Sequence, residues 1–167
     1  MGNISSNQSN TQDGNVIVWL DSGPTAYINF GIASALSKID KCNFIGIVSD
    51  KQDLSFFQNQ QITSFQKLFY YPDCYLNKST FDLNNLKKFE EKFNFNIWSD
   101  IFTERSFYKY WVDFHKFTDK EILSIIYHTL SFFVDVIEKN KPKLIIMKQV
   151  GDNVSSLLFY RVAKYFL

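Results

Sequence analysis

The chain has few of the residues that cross-link small secreted domains or bind structural metals. Its 167 residues include only two cysteines, Cys42 and Cys74, which lie far apart and form no metal or redox motif. A disulfide framework is therefore excluded, and we expect each cysteine to be a small buried side chain or a free thiol. No apolar run reaches the roughly 18–20 residues of a membrane span, and the polar N-terminus does not resemble a signal peptide. We expect a cytoplasmic protein that is at most peripheral at a membrane.

The chain also lacks an excess of charge of either sign. The 18 Lys and Arg residues nearly balance the 17 Asp and Glu residues, and no basic cluster is dense enough for a nucleic-acid surface. Short catalytic signatures are missing too: there is no Gly-x-Gly-x-x-Gly, P-loop, Gly-x-Ser-x-Gly or Cys/His cluster with metal spacing. We therefore expect no nucleic-acid partner, no metal and no tightly bound cofactor.

Apolar and aromatic residues are abundant. The chain is 46% apolar and 18% aromatic, with 18 phenylalanines, which is enough for a sizeable core. Its length fits one domain. Residues 1–14 are polar and cannot bury anything, so we predict a flexible tail followed by a single domain over residues 15–167.

Four short, continuous apolar runs alternate with helical patterns. They are predicted as strands over residues 15–20, 43–48, 65–71 and 143–147. Runs without polar alternation are typical of parallel strands that are covered on both faces. Right-handed crossovers then favour a mostly parallel sheet in the order 3-2-1-4, with helices on both faces. This is a Rossmann-like, three-layer α/β domain.

Helical periodicity predicts which faces are buried. The clearest case is a capping box from Thr118 to Glu121, followed by a long apolar stripe. That stripe consists of Ile122, Ile126, Leu130, Phe133 and Ile137. A helix from Pro24 is predicted to bury Ile28, Ile32, Ala35 and Ile39. The segment 80–114 is predicted to be helical and aromatic, with faces at Leu83, Leu86, Phe89 and Phe93 and at Ile97, Ile101, Tyr108 and Trp111. A last helix from Asn153 is predicted to bury Val154, Leu157, Leu158, Val162 and Tyr165.

Two loops are predicted to face each other across the crevice where the strand order reverses. Ligands of such folds bind there, outside the carboxyl ends of the strands. The first loop supplies Asp21 as a candidate catalytic group, with Ser22, Gly23 and Thr25 as candidate ligand-binding residues. The second supplies Lys148, Gln149 and Gly151 for ligand binding and Asp152 as a candidate base. The alternative is that both are ordinary turns, in which Asp21 or Ser22 caps the first helix and Asp152 or Asn153 caps the last.

Two further candidates lie in the aromatic segment. His115 is a candidate general base, because imidazole titrates near neutrality, although no partner acid is identifiable by spacing. Arg105 is a candidate ligand for an anionic group, with an exposed ion pair to Glu104 or Asp100 as the alternative. The aromatic residues of segment 107–114 can stack on sugar rings or pack in a core or domain interface.

Three pieces of the chain resemble one family. They are Asp21-Ser-Gly-Pro, then Ile97-Trp-Ser-Asp-Ile-Phe-Thr-Glu-Arg105-Ser-Phe-Tyr, and the long helix that leads to Lys141-Pro-Lys-Leu-Ile-Ile-Met147. In this order they are similar to the N-terminal half of GT-B glycosyltransferases of capsular polysaccharide biosynthesis. The resemblance covers roughly residues 15–167.

The resemblance implies a sugar-transfer function. Such enzymes move a sugar from a nucleotide-sugar donor to a glycan acceptor, and their first half faces the acceptor. It implies that Asp21 and residues 22–25 line the cleft, that Arg105 and Lys148 meet anionic groups, and that the donor is a substrate and not a cofactor. It also implies that a second half follows Leu167 or is supplied by a partner chain. The present chain, as the first half, is then inactive alone. The alternative function is a non-catalytic flavodoxin-like or receiver-like binding module.

Overall fold

A computed structural model describes residues 14–21, 23–102, 107, 115–147, 150–151 and 153–167. The predicted tail over residues 1–14 lies outside these ranges except for Gly14, which opens the first strand. The described elements are the strands β1 (Gly14–Leu20), β2 (Cys42–Val48), β3 (Phe65–Tyr70) and β4 (Leu144–Ile146) and the helices α1 (Pro24–Ser37), α2 (Lys51–Asn59), α3 (Leu83–Phe93), α4 (Ile97–Ile101), α5 (Asp119–Asn140) and α6 (Val154–Phe166). A 3₁₀ turn, Tyr71–Cys74, follows β3.

The four strands form one parallel sheet in the order β3-β2-β1-β4. This confirms the predicted order and the Rossmann-like α/β class. Leu20, Val48 and Tyr70 stand side by side in the register of β1, β2 and β3. Parallel strands point the same way, so the residues that follow these three positions meet at one edge of the sheet.

Side chains that alternate along each strand divide the core between two layers. Ile17 and Trp19 of β1 belong to the cluster that includes buried residues of α5 and α6, whereas Val18 and Leu20 pack with buried residues of α1 and α2. Each layer consists mainly of aliphatic and phenylalanine side chains. The sheet is therefore covered on both faces, as its continuous apolar strands predicted.

Helix α5 follows its sequence signals closely. The Thr118 hydroxyl accepts from the Glu121 backbone N–H at 3.3 Å, and the Glu121 carboxylate accepts from the Thr118 N–H at 2.7 Å, which confirms the capping box. All five residues of the predicted stripe are buried. The left-handed residue Lys141 ends the helix one position before Pro142.

The buried face predicted for α1 is wrong. Ile28, Ile32 and Ile39 are 41%, 47% and 83% exposed. The helix instead buries Ala26, Asn29, Phe30 and Ala33. The small side chains of Ala26 and Ala33 let the helix approach the sheet, and the Asn29 amide donates to the Trp19 carbonyl oxygen at 2.7 Å. Both sets of residues have helical spacing, so periodicity favoured the more apolar set, while packing and this hydrogen bond favoured the other.

Smaller corrections concern residues at the margins of predicted faces. Leu83 and Tyr165 are 51% and 55% exposed, although both were predicted to be buried. In α6 the fully buried residues include Phe159, which the predicted face omitted. Leu83 opens its helix and Tyr165 lies next to the last residue of its own, and helix termini have fewer packing neighbours on either side. Tyr108 and Trp111 lie outside the described residues.

Candidate functional site

Polar and aromatic side chains form a row across the carboxyl edge of the sheet. Asp21, Ser49 and Tyr71 each follow the last residue of a strand, β1, β2 and β3 respectively. The alternation of side chains places all three on the layer of α5 and α6. The Ser49 Oγ atom is buried and has no hydrogen-bond partner among the described residues, a state that is rare in proteins. The row is thus the polar boundary of an otherwise apolar layer.

Asp21 is held by the first residues of the last helix. The Asn153 Nδ2 atom donates to Asp21 Oδ2 at 2.7 Å, across 132 positions of the chain. Asn153 is also the N-cap of α6, since its Oδ1 atom accepts from the Ser156 N–H at 2.8 Å. One amide side chain therefore caps the helix and fixes the carboxylate. The strand order brings the end of β1 next to the start of α6, where the sequence predicted two sides of one crevice.

Tyr71 lies at the β3 end of the row and was missed by sequence reasoning. Its ring stacks on Trp19 with centroids 5.5 Å apart, and both Tyr71 and Ser155 line the pocket described below. Burial and, to a lesser degree, the negative charge of Asp21 raise the pKa of Tyr71 far above its usual value. The phenol is therefore neutral at any physiological pH and available as a hydrogen-bonding group beside Asp21.

A pocket with a volume of about 790 Å³ extends from Tyr71 toward the start of α5. Its walls combine aromatic rings with amide, hydroxyl and charged groups. The lining residues are Tyr71, Tyr75, Leu76, Asn77, Lys78, Ser79, Phe107, Phe117, Lys120, Glu121, Ile125, Asn153, Val154 and Ser155. Pockets of this size at the carboxyl edge of a parallel sheet are the usual place for small-molecule binding.

His115 finds a carboxylate partner that spacing did not reveal. Its Nε2 atom lies 3.2 Å from Glu121 Oε1, and its ring packs edge-on against Phe117. Glu121 and Phe117 both line the pocket. His115 therefore contacts the wall formed by α5 and the residues just before it, and Asp21 contacts the wall formed by the start of α6.

The hydrogen bonds of Glu121 predict a pH dependence of stability. The backbone and side chain of Thr118, and then His115, lower the pKa of Glu121. Because the pKa of Glu121 is lowered in the folded state, the ionised carboxylate stabilises the fold at pH values above 4.5, the ordinary pKa of the group. This stabilisation is lost as the pH falls through the pKa that Glu121 has in the folded protein. We expect Glu121→Gln to lower the unfolding free energy at neutral pH and to flatten its decline in acid, as measured by urea denaturation from pH 3 to pH 7. Glu91→Gln, an exposed change on α3, is the control, and equal acid profiles for the two variants would contradict the prediction.

The remaining candidates divide into those the structure describes and those it does not. Gly23 has φ +74° and is the N-cap of α1. Among the described residues no side chain caps this helix, so Asp21 is not its cap. Thr25 is half-buried in the first turn of α1. Gly151 has φ +86° and donates to Ser156 Oγ at 3.2 Å, which makes it part of the capping of α6. The predictions for Ser22, Arg105, Lys148, Gln149 and Asp152 fall outside the described residues.

The described residues contain neither a metal-binding cluster nor a membrane-spanning helix. No group of three or more His, Cys, Asp or Glu side chains in that part of the chain is arranged to hold a metal ion. None of the described helices combines the length and the apolar character that are needed to cross a membrane.

Comparison with known proteins does not assign a function to this site. No protein-family model, curated protein or solved structure matches the chain. The strand order establishes the Rossmann-like class, and the function has to be argued from the pocket.

Proposed function

We propose that the chain is a glycosyltransferase-like domain whose pocket binds a sugar unit of a glycan acceptor. The single observation that carries the proposal is the pocket of about 790 Å³ at the carboxyl edge of the sheet. A sugar ring offers an apolar face and a rim of hydroxyl groups. The pocket offers both complements, aromatic surface and hydrogen-bonding side chains.

Aromatic rings supply the apolar complement. Tyr75, Phe107 and Phe117 line the pocket together with the ring of Tyr71. Tyr75 is only partly buried, and Phe117 is half-buried on the approach to α5. Aromatic faces of this kind bury ring C–H groups while leaving the ring edge to polar partners.

Amide and hydroxyl groups supply the polar complement. Asn153 and Ser155 line the pocket at the first turn of α6, and Asn77 and Ser79 line it from the loop after β3. Asn153 already donates to Asp21, which fixes the orientation of its amide. Polar groups with fixed orientation give a site specificity for hydroxyl positions.

The strand order favours this proposal over the flavodoxin-like or receiver-like alternative. The order 3-2-1-4 corresponds to the first strands of Rossmann sheets, whereas flavodoxin and receiver sheets run 2-1-3-4-5. GT-B enzymes are built from Rossmann-like halves, and in the proposed function the donor nucleotide-sugar is bound by a second half or a partner chain. His115, oriented by Glu121, is the imidazole that accepts the proton of the acceptor hydroxyl in this proposal.

Binding of sugars by the chain tests the proposal. We expect monosaccharides and short glycans to shift amide NMR signals of the pocket residues, and Tyr75→Ala to weaken that binding about tenfold, because a stacked ring is lost. Tyr160→Ala, which removes a tyrosine that is 41% exposed on α6 and does not line the pocket, is the matched control and should bind as the natural chain does.

Two results would count against the proposal. One is a well-dispersed spectrum that no sugar changes. The other is an equal loss of binding in Tyr75→Ala and Tyr160→Ala, since that would place the sugar elsewhere or trace the loss to a general weakening of the fold. A thermal melt of each variant separates these causes.

A further inference from the structure

Three charged side chains among the described residues line the pocket, and two of them carry positive charge. Lys78 lies in the loop after the 3₁₀ turn, and Lys120 and Glu121 lie in the first turn of α5. All three are exposed at the rim and not buried in the floor. Their charges therefore decide the electrostatic character of the pocket entrance.

The negative charge of Glu121 is already engaged by neighbouring groups. Its Oε2 atom accepts from the Thr118 backbone N–H at 2.7 Å and from the Thr118 hydroxyl at 2.8 Å. Its Oε1 atom faces His115 Nε2 at 3.2 Å. Both carboxylate oxygens thus have protein partners, and little of this charge is directed at a ligand.

The two lysines have no such partner in the described part of the chain. Neither ammonium group forms an ion pair there, although four other pairs are found among the same residues. The first turns of α5 and α6 also border the pocket, and the positive ends of their helix dipoles add to the field of the lysines. The rim is therefore positive while the walls are aromatic.

We infer that the pocket selects an acidic sugar, one whose ring carries a carboxylate or a phosphate outside the ring. The ring packs against the aromatic wall, and the anionic substituent lies at the rim between Lys78 and Lys120. This inference rests on the proposed function and adds the substrate class to it. A carboxylate and a phosphate both place negative charge outside the sugar ring, and the test distinguishes between these two groups.

The test compares three sugars that differ in one substituent. Binding of glucose, glucuronic acid and glucose 6-phosphate to the full chain is measured by amide NMR titration at low ionic strength. We expect both anionic sugars to bind about tenfold more tightly than glucose, with a preference that salt reduces. The anionic sugar with the smaller Kd identifies the source of the charge.

A double variant locates the preference. Lys78→Gln with Lys120→Gln is expected to remove most of the tenfold preference of the anionic sugars over glucose. Lys87→Gln with Lys164→Gln changes the net charge by the same amount at exposed positions that do not line the pocket, and should keep the preference.

The possible failures are distinguishable. If the three sugars bind equally well, the inference is wrong and the proposed function stands. If both double variants lose the preference to the same extent, it arises from net charge and the inference is wrong. If none of the sugars binds, both the inference and the proposed function are overturned.

Discussion

Replacing Trp19 by alanine is expected to lower the unfolding free energy by about 3–5 kcal/mol, which is the range for large aromatic side chains lost from a core. Trp19 is 1% exposed and lies next to the last residue of β1. Its ring contacts Phe159 and Tyr71 in stacked geometry, with centroids 4.9 Å and 5.5 Å apart, and Phe133 edge-on at 5.7 Å. Denaturation by urea, followed by far-UV circular dichroism, measures the loss.

The same substitution is expected to weaken the candidate site. Tyr71 lines the pocket and lies against the Trp19 ring, so a cavity in place of that ring removes its support. We therefore expect sugar binding to fall at temperatures where the variant is still folded. A folded variant that binds with unchanged affinity would show that the pocket does not depend on this stack.

Trp98→Ala makes the same chemical change at a position where we expect a smaller effect. Trp98 is half-buried on α4, and its only described ring contact is with Phe102 at 6.1 Å. If both tryptophan variants lost the same free energy, the central role assigned to Trp19 would be wrong.

Removal of the Asp100 carboxylate is the second substitution with a large expected effect. Arg161 Nη2 donates to Asp100 Oδ1 at 3.0 Å, and Arg161 Nε lies 2.8 Å from Oδ2, so the pair joins α4 to α6 through two parallel contacts. Asp100 is 7% exposed, and the guanidinium lies 5.4 Å from the centre of the Phe95 ring. Asp100→Ala leaves a largely buried cation without its carboxylate, and we expect a loss of about 3 kcal/mol.

Two comparisons make this prediction specific. Asp135→Ala breaks an exposed pair with Lys139 one turn away on α5 and should cost no more than about 0.5 kcal/mol. Replacing both buried partners, as Asp100→Leu with Arg161→Met, should recover most of the lost stability, because no unpaired charge remains. If Asp100→Ala cost no more than Asp135→Ala, the pair would contribute little to the packing of α4 on α6.

The contacts of Asp100 were not accessible from the sequence. An exposed pair with Arg105 was one alternative there, because the two residues lie five positions apart. The structure joins Asp100 to Arg161, a residue 61 positions away, whereas Arg105 lies outside the described residues. Local spacing can propose neighbours along one helix, but it carries no information on which helix packs across from it.

Only part of the candidate site could be predicted from the sequence. Asp21 could be placed at the switch point because a βα loop follows an apolar strand, and that position is where ligands of this fold bind. Ser49 could have been found by the same rule, since it follows a predicted strand of the same sheet. Tyr71 could not, because the third strand was predicted to run to residue 71, whereas the observed strand ends at Tyr70. The Glu121 partner of His115 belonged to a capping box that was recognised only as a helix start.

The sequence alone determined the elements and their order. Continuous apolar runs set the strands, the Thr118 capping box set the start of α5, and right-handed crossovers then left 3-2-1-4 as the simplest sheet. These features depend on local backbone preferences and on the period of apolar residues, which a single sequence contains.

Only the tertiary structure decided which faces and which partners meet. Helix α1 turns Ala26 and Ala33 to the sheet and leaves Ile28 and Ile32 exposed, because close approach and the Asn29 hydrogen bond outweigh the burial of larger apolar side chains. Asn153 reaches Asp21 because β4 pairs with β1 and α6 follows β4. Which helix face is buried and which residues form contacts depend on the close packing of side chains that are far apart in the chain. The sequence pattern of a single element does not contain this information.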